Sequence, residues 1–258
     1  GKQPGKVFLL RADMDALPVH EENDVEFKSV NEGVMHACGH DSHTASLMGA
    51  AKIVKHVRKE FSGTVLFVFQ PGEEKAPGGA YLMLEDGLFD DFVPDVVIKQ
   101  HSYVDLPAGK IGFQKGKVMA SADEVHIVVK GQGGHGALPH ELNDTVLAAS
   151  NIIVALQQVV SRRRNPFQPM TLSFGKFIAN GATNVIPSEV VLAGSLRCMD
   201  ETERERMLSL IPEIVKSTAS AYGCTCDVDI PMGYPCTISH AEVTESVEHN
   251  ALSFLGTD

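Results

Sequence analysis

The sequence predicts an α/β protein in which a parallel sheet covered by helices carries a second, inserted domain. In the first third of the chain, short apolar runs alternate with helical stretches, and this β-α-β-α-β order is typical of a mostly parallel sheet. After Gly116 the order becomes β-α-β-β-α-β, the split β-α-β or ferredoxin-like arrangement. With 258 residues, 43% of them hydrophobic, the chain can bury a sizeable core in one large domain or two ordinary ones.

The first domain is predicted to alternate three strands with two helices. We expect these elements, in order, at 6–12, 41–59, 64–70, 78–86 and 95–101. Gly87 is expected to end the second helix as its C-cap. The first helix has one apolar face, because four of its residues are spaced 3, 4 and 3. These residues are Leu47, Ala50, Val54 and Val57.

The inserted domain is predicted to contain four strands and two helices. Its first strand alternates in the manner of a half-solvated antiparallel strand, with Val125, Ile127 and Val129 on one face. The second helix starts at Asp200, where the D-x-x-E pattern indicates an N-terminus. The strands are expected at 122–130, 170–178, 189–198 and 224–230, and the first helix at 143–161.

These elements define a domain organisation. We assign 1–117 to a first α/β domain, 118–231 to the inserted domain, and 232–258 to a return of the chain to the first domain. The return contains one more helix, expected at 240–258. Because a buried strand begins at once and no initiator methionine precedes it, we expect the sequence to be a fragment of a longer chain.

Composition argues against several classes of protein. The net charge is −11, and the one basic cluster is Arg162, Arg163 and Arg164, so nucleic-acid binding is not expected. No apolar run approaches the roughly 18–20 residues of a membrane span, and the first twenty residues lack the layout of a signal peptide. The five cysteines are expected to be thiols or metal ligands in a reducing compartment. A cytoplasmic protein without membrane contact is therefore predicted.

Polar side chains gather at the predicted carboxyl ends of the parallel strands. Asp13 and Asp15 follow the first strand, Glu73 and Glu74 follow the second, and His101 ends the third. The Gly-containing turn that opens the first helix adds further candidates, namely Cys38, His40, Asp41 and His43. Ligands of open α/β sheets bind at this edge, so we expect these residues to converge.

The chemistry of the converging side chains is that of a divalent metal site. Thiolate, imidazole and carboxylate bind zinc-like or manganese-like ions, and Cys38 and His40 are close enough in sequence to bind one ion or bridge a pair. Of the adjacent glutamates Glu73 and Glu74, one can bind metal while the other takes a proton from water.

Each of these residues also has an ordinary explanation when taken alone. Two adjacent glutamates are usually solvated charges, Cys38 alone would be a small buried hydrophobe, and His101 alone a core histidine. Their placement at one edge favours the metal site. The remaining cysteines are expected to be structural: Cys198, Cys224, Cys226 and Cys236.

A thiol hydrolase is the rival chemistry. Cys38 with His36 or His40 could form a nucleophile and its base. That arrangement leaves the paired glutamates and His101 without a role, so the metal site is the preferred interpretation.

Five stretches of the chain closely resemble a metallopeptidase family that includes hippurate hydrolases, N-acyl-amino-acid amidohydrolases, auxin-conjugate hydrolases and N-acetyldiaminopimelate deacetylases. They are RADMDALPV at 11–19, MHACGHDSHT at 35–44, FQPGEE at 69–74, GQGGHGALPH at 131–140 and TNVIPSEVVLAGSLR at 183–197. As a set these motifs are highly specific, and they run through nearly the whole chain. The resemblance implies metal-dependent hydrolysis of the amide bond of small N-acyl amino acids.

The resemblance also implies individual roles. It implies two divalent ions, Mn²⁺ or Zn²⁺, with Glu73 as the general base. The implied ligands are Cys38, His40, Glu74 and His101. Asp15 matches an aspartate that orients a ligand, whereas Asp13 stands where related enzymes carry a metal-binding histidine, a duty that Cys38 takes over in this subfamily.

In the inserted domain, the resemblance implies a lid that also forms a homodimer. His135 would hydrogen-bond the oxyanion, while Asn184 and Arg197 would hold the carboxylate of the amino-acid product. The family's final metal-binding histidine has no counterpart here, since His240 and His249 lie in no matching motif. A non-catalytic fragment, or an inactive homologue that acts as a dimerising or binding module, is therefore the alternative.

Overall fold

The chain folds into two units in a computed structural model that describes residues 1–231 and 233–256. The first unit is built mainly from Gly1–Gly112, and the second is Phe113–Phe254. Within the described residues, no helix combines the length and the apolar character needed to cross a membrane.

The first unit contains a three-stranded parallel sheet with the order β2-β1-β3. Its elements are β1 (Val7–Asp13), α1 (His40–His56), β2 (Thr64–Gln70), α2 (Gly79–Glu85) and β3 (Val96–Lys99). The predicted β-α-β-α-β order and parallel sheet are thus confirmed. Because all three strands run in the same direction, their carboxyl ends meet at one edge. At this edge Asp13 of β1 pairs with Gln70 of β2. Two residues earlier in β1, Arg11 pairs with Lys99 of β3.

Helix α1 presents one face to the sheet and begins at His40, within the turn motif that also contains Cys38. His40, His43 and Leu47 are buried along this face, at the 3 and 4 spacing that places residues on one side of a helix. The face predicted from Leu47 onward is therefore correct, and it extends one turn further towards the N-terminus. The first two buried residues of the helix are histidines, so α1 places two imidazole rings in the interior of the unit.

The second unit contains a four-stranded antiparallel sheet with the order β10-β5-β9-β7. Its elements are β4 (Gly116–Met119), β5 (Asp123–Lys130), β6 (Gly134–His135), α3 (Thr145–Gln158), β7 (Met170–Ile178), β8 (Val185–Ile186), β9 (Glu189–Cys198), α4 (Glu201–Ala221), β10 (Thr225–Asp229), β11 (Thr237–Ser239) and α5 (Ala241–Leu255). The main strands and helices follow the order β-α-β-β-α-β. The short pairs β6-β8 and β4-β11 were not predicted, because two to four residues carry too little periodicity to detect.

The core of the second unit lies between this sheet and helices α3 and α4. Val125, Ile127 and Val129 of β5 are fully buried, as their alternation predicted. On α4 the buried apolar stripe is Met207, Ile211, Val215 and Ala219. Asp200 caps this helix by accepting a hydrogen bond from the Glu203 backbone N–H, which confirms the predicted start.

A buried ion pair joins α4 to β5 inside the second unit. Arg204 donates from Nε and Nη2 to the two carboxylate oxygens of Asp123, over 2.8 and 2.7 Å. The Asp123 side chain is fully buried, and only 9% of the Arg204 side chain is exposed. The arginine was not singled out in the sequence, because charged residues on a helix usually face solvent.

Replacing Arg204 with methionine is expected to destabilise the protein by about 3–5 kcal/mol, because the Asp123 carboxylate would remain buried without its partner. Arg206→Met on the same helix is the matched control. The ion pair between Arg206 and Glu203 is more exposed, so losing it should lower the free energy of unfolding by only about 0–1 kcal/mol. Denaturant unfolding of both variants measures the difference, and equal midpoints for the two would contradict this view of the core.

The boundaries of the two units differ from the predicted domains near the end of the chain. Residues 113–117 and 233–254 cluster with the second unit, where β11 pairs with β4. The predicted helix at 240–258 is present as α5. The return of 232–258 to the first domain stays a prediction, and residues 232, 257 and 258 of that segment lie outside the described residues.

Candidate metal centre

The predicted ligands of the first unit converge at the carboxyl edge of the parallel sheet. Among the described residues, His40 belongs to three groups of side chains whose potential ligand atoms lie within 4.8 Å of one another, and two of these groups contain the other predicted residues. One group adds Cys38 and His101, and the other adds Glu73 and Glu74. All five predicted residues are therefore close together, although they come from three separate loops and the start of α1.

One ring nitrogen of His40 faces this cluster without a hydrogen-bond partner among the described residues. Its Nδ1–H donates to Asp15 Oδ1 over 3.0 Å, which leaves the Nε2 lone pair free to bind a ligand. Nε2 is buried and, within the described residues, makes no hydrogen bond, since Asp13 and Glu74 oxygens lie 3.7 and 3.8 Å away. A buried acceptor without a partner is costly, and a divalent cation would satisfy it. The donor set thus fits a metal ion.

His101 and Cys38 complete one side of the cluster. The His101 Nδ1–H donates to the Ser102 carbonyl oxygen over 2.7 Å, so Nε2 again faces inward. That nitrogen lies 3.5 Å from Cys38 Sγ. Both histidines therefore have Nδ1 held by an oxygen and Nε2 directed at the same centre, the pattern that orients histidine ligands.

The environment of Cys38 argues against the rival thiol chemistry. Burial, a hydrogen bond with Glu74 and the charges of nearby carboxylates raise the pKa of the thiol to about 11. A nucleophilic cysteine requires the opposite arrangement, in which neighbouring positive charge lowers the pKa. A bound cation would reverse the effect, because a coordinated thiol loses its proton.

Two aspartates beneath the cluster are held in the ionised form. Burial would raise the pKa of Asp13, but a hydrogen bond from His43 and the charge of Arg11 outweigh it and lower the pKa. Burial likewise opposes ionisation of Asp15, whose pKa is lowered by the Glu74 backbone N–H and by His40. Asp15 thus connects His40 to the Glu74 backbone, over 3.0 and 2.9 Å.

Gly39 makes the turn between Cys38 and His40 possible. Its φ angle is +80°, in the left-handed region that favours glycine. A Cβ atom at this position would lie 2.5 Å from the Ser102 hydroxyl oxygen. Glycine therefore lets the loop that carries Cys38 approach the segment that carries His101.

The second unit carries the remaining predicted residues, at two separate places. His135 of β6 lies beside Asn184, since β6 pairs with β8 and the Gly136 N–H donates to the Asn184 carbonyl oxygen. Asn184 comes before β9, which begins at Glu189, whereas Arg197 lies near the end of that strand. Eight residues separate Glu189 from Arg197, a distance of about 26 Å along the strand. Within one chain the structure therefore separates Asn184 from Arg197.

Sequence analysis missed the part that His43 and Ser102 play beside this cluster. His43 was noted only as a member of the turn motif, but it is buried and contacts both Asp13 and Ser102. Its spacing of three residues from His40 on a helix could have indicated a shared face. Ser102 gave no signal in the sequence beyond following His101.

Comparisons with known proteins agree with the geometry. The chain matches peptidase family M20/M25/M40 over residues 9–258. It is 44% identical to an N-acyl-L-amino acid amidohydrolase of Geobacillus stearothermophilus over 242 residues, which cover 94% of this chain and 65% of that protein. It is 40% identical over 249 residues to thermostable carboxypeptidase 2 of Saccharolobus solfataricus, covering 96% of this chain and 63% of that protein.

A solved structure shows the same fold. The Bacillus subtilis protein, described as a dinuclear metal-binding peptidase of the M20 family, superposes with a TM-score of 0.81 at 32% identity. The superposition covers 98% of this chain and 65% of that one. The chain thus spans slightly less than two thirds of the length of each of these proteins.

Proposed function

Because this chain belongs to peptidase family M20/M25/M40, we propose that the protein containing it is a metal-dependent amidohydrolase that cleaves N-acyl amino acids. The observation that carries the proposal is the buried His40 Nε2, which lacks a hydrogen bond among the described residues and faces thiol, imidazole and carboxylate groups. The amidohydrolase and the dinuclear peptidase among its relatives support the same chemistry.

We assign Cys38, His40, Glu74 and His101 as ligands of two divalent ions. The thiol favours zinc and the carboxylates tolerate manganese, so either ion suits this donor set. When bound, the ions supply Lewis-acid stabilisation of the charge that develops on the scissile carbonyl oxygen and lower the pKa of water.

Glu73 is assigned as the general base. Its carboxylate takes a proton from the attacking water and passes it to the leaving nitrogen as the amide bond breaks. In the inserted lid domain, His135 donates a hydrogen bond to the developing oxyanion. Asn184 and Arg197 bind the free carboxylate of the amino-acid product, for which the planar guanidinium of Arg197 is suited.

We further propose a homodimer formed through the lid domain. The separation of Asn184, which precedes β9, from Arg197 near the end of that strand supports it, because one product carboxylate can contact both residues only if they come from different subunits. We also propose a cytoplasmic location. Its support is that all five cysteines are unpaired thiols, and detection of a disulfide in the native protein would contradict it.

The test uses the full-length protein that contains this chain. Metal is removed with a chelator and restored as Mn²⁺ or Zn²⁺, and hydrolysis of N-acetyl and N-benzoyl amino acids is measured side by side. Activity should disappear with the metal and return with it, and light scattering should give the mass of a dimer. A protein that binds two ions per subunit but cleaves no N-acyl amino acid would instead support the non-catalytic alternative.

A further inference from the structure

A hydrogen-bonded chain of Asp13, His43 and Ser102, in which the aspartate and the histidine are buried, lies beside the proposed ligands. His43 Nδ1 is 2.5 Å from Asp13 Oδ1, and His43 Nε2 is 2.7 Å from the Ser102 backbone nitrogen. The side chains of His43 and Asp13 are each 1% exposed. None of these three residues has a role in the mechanism proposed above.

The partners of His43 fix its tautomer. A backbone N–H can only donate, so His43 Nε2 must accept the bond from Ser102. The proton of the neutral ring is then on Nδ1, from which it is donated to the Asp13 carboxylate. Both nitrogens of His43 are therefore occupied, and it has no lone pair left for a metal ion.

Asp13 accepts a hydrogen bond on each of its carboxylate oxygens. Its Oδ1 accepts from His43, and its Oδ2 accepts from Arg11 Nη1 over 2.7 Å. Asp13, His40 and His43 are close enough together to hold an ion, but His43 could bind one there only by giving up one of its two hydrogen bonds. The contacts favour an anchoring role for Asp13 over a ligand role.

Ser102 connects this chain to two proposed ligands at once. Its carbonyl oxygen accepts from His101 Nδ1 over 2.7 Å, and its hydroxyl donates to the Cys38 carbonyl oxygen over 3.3 Å. Cys38 and His101 are 63 residues apart in sequence, yet their side chains lie 3.5 Å apart. The position of Ser102 therefore sets the distance between them.

We infer that His43 is a positioning residue, which through Ser102 holds Cys38 and His101 in the geometry that binds metal, with Asp13 as its anchor. The inference rests on the proposed function, because it takes Cys38 and His101 to be ligands. The physical reason is preorganisation: ligands already in place lose less conformational freedom when an ion binds.

The test compares three substitutions of His43 in the full-length protein. Glutamine can place an acceptor near the Nε2 position and keep the bond to Ser102, whereas asparagine reaches only towards Asp13 and leucine makes neither bond. His56→Gln, at the exposed end of the same helix, is the matched control. Zn²⁺ affinity and stoichiometry are measured by chelator competition, and the thiolate-to-metal absorption band is recorded with Co²⁺.

His43→Leu and His43→Asn are expected to weaken Zn²⁺ binding by about 10- to 100-fold and to diminish the thiolate band. His43→Gln should restore most of the affinity, and His56→Gln should change nothing. All variants should still bind two ions per subunit at saturation. If His43→Leu fails to fold, the contrast between His43→Asn and His43→Gln decides the question.

Two results would overturn the inference. Unchanged Zn²⁺ affinity in both His43→Asn and His43→Leu would show that the Ser102 contact does not position the ligands. If all three variants bound only one metal ion per subunit at saturation and kept the thiolate band, His43 would be a metal ligand instead. Failure of the proposed function is recognised separately, because the unsubstituted protein would then bind no ions or hydrolyse no substrate.

Discussion

Replacing Glu73 with glutamine is expected to lower kcat by about 10²- to 10⁴-fold while both metal ions remain bound, because the amide keeps the shape of the side chain but cannot accept the proton of the attacking water. The substitution should leave KM nearly unchanged, since the lost interaction belongs to the transition state. Steady-state kinetics with an N-acyl amino acid, together with metal analysis of the same preparation, measures both quantities.

Glu74→Gln provides the necessary contrast. The geometry brings both glutamates to within 4.8 Å of the His40 ligand atom, so position alone does not separate a ligand from a base. Asp15 holds the Glu74 backbone, which supports the ligand role for Glu74. Glu74→Gln should therefore lose metal, and Glu85→Gln, at an exposed end of α2, should behave as the unsubstituted protein. Loss of metal from Glu73→Gln with full occupancy in Glu74→Gln would exchange the two assignments.

Replacing His40 with alanine is expected to reduce both metal binding and activity more than any other single change. In the part of the chain that the structure describes, His40 belongs to each group of side chains that could hold an ion, and its Nε2 is a buried acceptor that a cation would satisfy. Losing the metals removes about 4 kcal/mol or more of transition-state stabilisation, which corresponds to a decrease in kcat/KM of about 10³-fold or more.

Thermal unfolding gives a second measurement for this variant. An ion that binds only the folded state raises Tm, so added Zn²⁺ should stabilise the unsubstituted protein and have little effect on His40→Ala. His56→Ala, at the exposed end of the same helix, should respond to Zn²⁺ as the unsubstituted protein does. An equal Tm increase in all three proteins would mean that His40 is not a ligand.

The secondary structure was largely predictable because its signals are local. Period-two alternation marked β5, a 3 and 4 spacing marked α1, and an aspartate cap marked the start of α4. The strands β6 and β8 were missed, since two residues have no period to detect. Their pairing depends on contacts between segments about fifty residues apart, which no local pattern encodes.

Residue chemistry and strand order were enough to predict which side chains would converge at the carboxyl edge of the sheet. Parallel strands end at one edge of a sheet, so Glu73, Glu74 and His101 had to approach the turn that carries Cys38 and His40. That prediction required no distances. It needed only the β-α-β order and the knowledge that thiol, imidazole and carboxylate groups bind divalent ions.

Only the tertiary structure decided what surrounds those candidate ligands. The hydrogen bonds that join His43 to Asp13 and Ser102 depend on the packing of α1 against β1 and on the approach of the segment after β3, where Ser102 lies close to Gly39. The separation of Asn184 from Arg197 likewise follows from the length of β9. Sequence determined the chemistry of this site because side-chain type is local, whereas the direction and distance of each group are set by long-range packing.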